Sequence, residues 1–175
     1  MVMDMKSDVC PICREFDRDP ESSESFAGRN SHWLMNFSET PRLPGILDVH
    51  PREHVTSRGD LPSHRVTTLD GAEGPLREFC ARTWEASFGD VGITPFPVTE
   101  FHVNDFEFDH LQIRIQPAFL WPRGLLGLED HLNAGQALVI RRNAAILNES
   151  FRRITAESLA SEMDIIFHDV DDGTN

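Results

Sequence analysis

No apolar run in this chain approaches the ~20 residues that a membrane-crossing helix needs, which excludes a helical membrane protein. The opening residues, MVMDMKSDVC, lack the apolar core of a secretory signal, so a cytoplasmic location is expected. Cysteine is scarce. Three thiols, an odd number, do not make a disulfide framework, and they fit a reducing compartment. Basic side chains are few: 16 Lys and Arg stand against 29 Asp and Glu, for a formal net charge of -13. Such a surface repels nucleic-acid backbones and excludes general DNA or RNA binding, while leaving room for a local pocket that holds a small anionic ligand. Tyrosine is absent altogether, and nothing follows from that.

What remains is globular in composition, with 39% hydrophobic and 26% charged residues in a chain of 175. That length suits one domain spanning 1–175, with residues 1–9 and 169–175 as flexible ends. Residues 17–25, DRDPESSES, read as an exposed acidic loop. SHWLMNF (31–37) and ILDV (46–49) read as short strands. PRLPG (41–45) is a turn between them, and Pro51 ends the second. Residues 56–74 are polar and loop-like.

The spacing predicts a helix over 75–88, where Leu76, Phe79, Cys80, Thr83, Trp84, Ser87 and Phe88 fall on one face. Pro75 suits its first position and Gly89 its stop. Cys80, on the apolar face, reads as a core thiol. PVTEFHVN (97–104) and FDHLQIRIQP (108–117) read as neighbouring strands joined by a hairpin. Residues 125–153 fit either a strand followed by a helix or helix throughout. ITAESLASEMDIIF (154–167) reads as a helix capped by Thr155. The order gives an α+β fold: an antiparallel sheet, one long helix packed on it, and a C-terminal helix.

The segment HLQIRIQP carries the most information. Leu111, Ile113 and Ile115 alternate with His110, Gln112, Arg114 and Gln116, as on a strand buried on one side. The polar row is either a working face or a solvated one. Arg114 between Gln112 and Gln116 is an anion-holding row, with Arg52 nearby, or it is one member of an ordinary ion pair. Cys10-Pro-Ile-Cys13 fits a zinc site. A redox role would want the pair at a helix N-terminus after a strand, and here it stands close to the start of the sequence. Zinc needs two further ligands, and spacing alone does not choose among His32, His50, His54, His64, His102, His110, His131 and His168.

Three of these motifs together resemble the histidine-triad (HIT) superfamily of nucleotidyl hydrolases and transferases. GILDVHPREHV (45–55) is similar to its G-x-x-h-h-h-P-K-x-H segment, where h is apolar. HLQIRIQP lies where the family carries H-h-H-h-H-h-h-P. CPIC is similar to the thiol pair of its zinc-containing members. The resemblance covers roughly residues 8–118 and leaves 119–175 as an unmatched C-terminal extension.

The resemblance implies a structural zinc on Cys10, Cys13, His54 and His110, the shell being closed by four protein ligands. It also implies that the chemistry is altered. The family's nucleophilic middle histidine is replaced by Gln112 and the third by Arg114, and an amide is neither nucleophile nor base. The Gly-Gln pair before the triad is replaced by DFEFD. The ribose-binding Asp is replaced by Ser38 or Asn36.

Three readings follow. The first is a zinc-containing HIT-like protein that binds a small anionic or nucleotide-like ligand through Arg114, Gln112, Gln116 and Arg52. It would lack nucleotidyl-histidine chemistry. If it were a catalyst by another route, His102 or His50 would be the base on a face with Gln112 and Arg114. The second is an inactive structural or interaction protein. The third is a zinc-dependent hydrolase with an open metal position. The resemblance also allows a homodimer.

Overall fold

Alternation decides most of the fold. In the computed structural model, which describes residues 10–19, 23–38, 45–88, 96–104, 110–118 and 134–168 (backbone only at 96–104, 116–118 and 134–144), the alternating segments form one sheet. The elements are α1 (Pro11–Asp17), β1 (Phe26–Arg29), β2 (Trp33–Phe37), β3 (Leu47–Pro51), α2 (Ser63–Phe88), β4 (Phe96–Asn104), β5 (Gln112–Ala118) and α3 (Ala134–Ile166). The sheet order is β1-β2-β3-β5-β4, and every neighbouring pair is antiparallel. The expected α+β class with an antiparallel sheet is therefore what forms.

One face of the sheet is apolar. Trp33, Met35, Phe37, Leu47, Val49, Ile113 and Ile115 all point to it, because antiparallel partners share a face. They meet Leu69, Ala72, Leu76, Phe79, Trp84 and Phe88 of α2, and Phe151, Leu159, Met163 and Ile166 of α3. Phe167, just past α3, stacks on Trp33 with ring centroids 5.0 Å apart. Gly45, at φ 87°, lies against Trp84: a Cβ there would stand 2.9 Å from the indole nitrogen that donates to its own carbonyl.

Several boundaries differ from expectation. α2 begins at Ser63, so the loop read over 56–74 reaches only residue 62. Pro75 lies inside this helix rather than at its start. It is exposed, as are Gly71 and Gly74 before it, so the helix passes a proline on its solvent side, where the lost backbone bond can be replaced by water. The inward ladder of Arg65, Leu69, Ala72, Leu76 and Phe79 runs through it unbroken. The helix read over 154–167 is the second half of α3, and the ambiguous stretch before it is helical from Ala134. Thr155 is therefore no cap. It is mid-helix and fully buried, and its hydroxyl has no hydrogen-bond partner among the described residues. α1 and β1 had no counterpart in the sequence reading.

β5 starts at Gln112, so His110 sits in the bend that leads into it. The expected flexible ends at 1–9 and 169–175, the turn at 41–44, the stop at Gly89, the hairpin loop at 105–107 and His131 lie outside the described residues. Among the described residues, no helix is long and apolar enough to cross a membrane.

A buried hydroxyl without a partner costs about 1–3 kcal/mol. Thr155→Val, which keeps the shape and removes that group, should raise stability by about 1 kcal/mol in urea unfolding. A loss of stability would show that the hydroxyl is satisfied in solution.

Candidate metal centre and the adjoining polar face

Cys10 is the N-cap of α1, and Pro11 at the first helical position sets the helix direction. Cys13 follows one turn later, so both thiols leave the helix on one side. His54 comes from the loop after β3, and His110 from the bend before β5. The four ligand atoms lie within 4.8 Å of one another. Cys10 Sγ is 3.5 Å from His110 Nδ1, and Cys13 Sγ is 3.3 Å from His54 Nδ1 and 3.6 Å from His110 Nδ1. Zn–S bonds of about 2.3 Å and Zn–N bonds of about 2.0 Å put tetrahedral S···N edges at about 3.5 Å, so the donor set fits zinc. Four protein donors leave no open position, which removes the open-site hydrolase reading and makes the metal structural.

The surroundings complete the fit. His110 Nε2 donates to the Pro51 carbonyl at 2.9 Å, which turns the lone pair of Nδ1 toward the thiols. Burial holds the His110 pKa below its ordinary value, and a neutral imidazole is the ligating form. Burial, then the neighbouring Cys10, pushes the Cys13 thiol up to about 12. Redox-active pairs need the opposite shift. The pair does stand at a helix N-terminus, contrary to the sequence reading. Yet α1 has seven residues, and both thiols face imidazoles.

The second face of the sheet carries Leu34, Asn36, Asp48, His50, Gln112 and Arg114. Leu34 packs under α1 with Cys10, Ile12 and Phe16. The solvated-face alternative does not hold: Asn36, Asp48, His50 and Gln112 are each less than a tenth exposed. Asn36, Asp48, Arg114 and His102 form one rung across four strands. Arg114 grips Asp48 with two bonds, Nε to Oδ1 at 2.8 Å and Nη2 to Oδ2 at 3.2 Å. Its fork is therefore engaged by a carboxylate of the protein. Asn36 Oδ1 is buried with no hydrogen-bond partner among the described residues.

His50 Nδ1 faces the Leu111 carbonyl at 3.4 Å. Burial lowers its pKa to about 4, against the opposing pull of Asp48. It is neutral at pH 7 and a weak base, poorly matched to the general-base role considered for it.

The remaining candidates scatter. Arg52 is exposed, bonds Asp17 of α1 and the Ser31 carbonyl, and lies over Phe16, so α1 holds it rather than the Arg114 row. Register sets His102 opposite Arg114 and Gln116 opposite Glu100, with side chains outside the described set. Sequence reasoning missed Asp48. Its signal was present, since Asp48, His50 and Arg52 alternate with apolar Leu47 and Val49.

Two predictions follow from this geometry. Purified protein should contain about one zinc per chain. Cys13→Ser should lose most of it and melt more than ~10 °C lower; full zinc retention in that variant would remove the assignment. The second concerns pH. His50 titrates near 6.5 when unfolded and near 4 when folded. Between these values the unfolded chain holds the extra proton, so stability falls as pH drops. From pH 7.5 to 5 the His50 contribution to the loss is about 2 kcal/mol. His50→Asn, which keeps a donor toward Leu111, should lose less than wild type by that amount in zinc-saturated urea titrations. Equal losses would refute it.

No family model and no curated protein matches this sequence. Among solved structures, the chain is similar to a zinc-bound histidine triad family protein from Mycobacterium smegmatis, at 12% identity and a TM-score of 0.45, over 86% of this chain and 99% of that one. It is also similar to a uridylyltransferase, at 15% identity and a TM-score of 0.40, over 82% of this chain and 45% of the other. At these values neither likeness bears on the site, which stands on its own geometry.

Proposed function

We propose that this chain is a zinc-pinned, histidine-triad-like protein that binds a small nucleotide-like ligand on its polar sheet face, without nucleotidyl-histidine chemistry. The observation that carries the reading is Asn36, whose amide oxygen is buried in a row with Asp48, His50 and Gln112 and has no partner among the described residues. Neither the apolar core nor the metal needs these groups, and burying them costs free energy that a ligand's donors would recover. Gln112 occupies the position of the family's nucleophile, and an amide there binds without forming a covalent intermediate. Because Asp48 holds the Arg114 fork, an anionic group on the ligand competes with an internal carboxylate, and recognition falls chiefly to hydrogen bonds. Thiolate ligation of zinc fits the reducing, cytoplasmic setting expected from the cysteine count.

The same ion pair favours a second reading, a structural or interaction protein whose polar face is retired. A thermal-shift series with AMP, adenosine, phosphate and sulfate separates the two. A ligand at about a hundredfold its Kd stabilises by about 2.7 kcal/mol. The binding reading expects a shift in wild type that Asn36→Leu abolishes. The retired-site reading expects no shift and a more stable Asn36→Leu. No nucleotidyl-enzyme should form in wild type or in Gln112→His, because the phosphate-contacting loop and the ribose acid are replaced as well. Trapping one in wild type would overturn the non-catalytic part of the proposal.

A further inference from the structure

His54 is the partly exposed imidazole of the metal centre, whereas His110 is buried. It stands at the apex of a three-residue turn closed by the Val55 N–H donating to the Glu53 carbonyl at 2.9 Å. Each leg of that turn is held. On one side the Leu111 N–H donates to the Val55 carbonyl at 2.6 Å, which ties the turn to the segment carrying His110. On the other side Arg65, in the first turn of α2, donates from Nε to Glu53 Oε1 at 2.8 Å. Arg65 is itself buried, at 7% exposure, which is rare for arginine and demands partners. Its Nη2 faces His32 Nδ1, and the His32 carbonyl accepts the Arg52 N–H at 2.8 Å. One guanidinium thus joins α2, the β1–β2 turn and the loop that carries His54.

We propose that Arg65 is a positioning residue of the metal centre, acting through Glu53 to hold the His54 turn in ligating geometry. Cys13 and His54 are the two partly exposed donors, and of these His54 is carried by a loop rather than a helix, so a metal held here would be released first where that loop moves. Restraining the His54 turn keeps the imidazole at bonding distance during fluctuations and slows that exit. Lys is a poor replacement, because a single ammonium does not reproduce a fork that reaches Glu53 and His32 together. Outer partners of metal ligands typically change affinity by about 10- to 100-fold when removed.

The test uses zinc-loaded, full-length protein. Zinc release to a chromogenic chelator is timed under native conditions, and the cobalt-substituted protein is examined by visible absorption. Arg65→Met and Glu53→Gln should each release zinc about 10- to 100-fold faster than wild type and alter the cobalt ligand-field bands. Arg65→Lys should fall between them and wild type. The double variant should be no faster than the worse single one, since both break the same link. Arg77→Met, which removes an exposed pair with Glu73 on the same helix, should release zinc at the wild-type rate. Wild-type release and an unchanged cobalt spectrum in Arg65→Met, even with a lower melting temperature, would reduce Arg65 to a structural ion pair. If Arg65→Met does not fold, Arg65→Lys and Glu53→Gln decide, and wild-type release in both overturns the proposal.

Discussion

Cys10 and His110 are 100 residues apart in the chain and 3.5 Å apart in the fold. A zinc ion on these groups, with Cys13 and His54, closes a loop that contains four strands and α2. Such a site does not exist in the unfolded chain, so metal binding there would add directly to the free energy of folding. The effect is also local. α1 has seven residues, too few to persist alone in water. It is held by two thiols and by the packing of Ile12 and Phe16 on Leu34. The N-terminal segment is thus anchored to the sheet at the metal.

The two faces of the sheet follow different physics. The face toward α2 and α3 is an ordinary core, with Trp33, Leu47, Ile115, Phe79 and Phe151 almost wholly removed from water. Its stabilisation scales with apolar area and tolerates substitutions that keep volume. The other face is buried yet polar, so its contribution depends on whether each group finds a partner. Arg114 and Asp48 satisfy one another. His50 avoids the charge problem by staying neutral. Asn36 leaves an oxygen unmatched among the described residues. A face of this kind stabilises a fold poorly, because every unmatched polar group on it costs free energy.

The sequence shows the apolar face far better than the polar one. Leu111, Ile113 and Ile115 are legible because a period of two is local, and Leu76 to Phe88 because a period of 3.6 is local. The same rule held below Pro75, where Leu69 and Ala72 continue the ladder, but the proline outweighed it. Thr155 resembled a cap for a similar reason: local chemistry suits it to a terminus, while tertiary packing carries the helix past it. Partnerships across long separations were not readable from spacing. Nothing local pairs Arg114 with Asp48, Arg65 with Glu53, or Cys10 with His110. The metal ligands emerged only because three short motifs matched one family pattern together. The ion pairs had no such pattern, and Arg114 therefore read equally well as a free fork or a paired one.

Residue 111 joins the metal to the polar face. Its N–H donates to the Val55 carbonyl beside His54, and its carbonyl faces His50 Nδ1. Its side chain is in the apolar core, and His110 precedes it. The His50 and His110 rings are edge to face with centroids 6.0 Å apart, and both are kept neutral by burial. A zinc held by His110 would fix that ring, and with it the peptide that faces His50. A metal there would thus act on the polar face indirectly, by setting the backbone from which Gln112 and Arg114 project. This division suits a closed four-donor site, which does no chemistry itself and whose influence reaches the sheet only through the segments it holds.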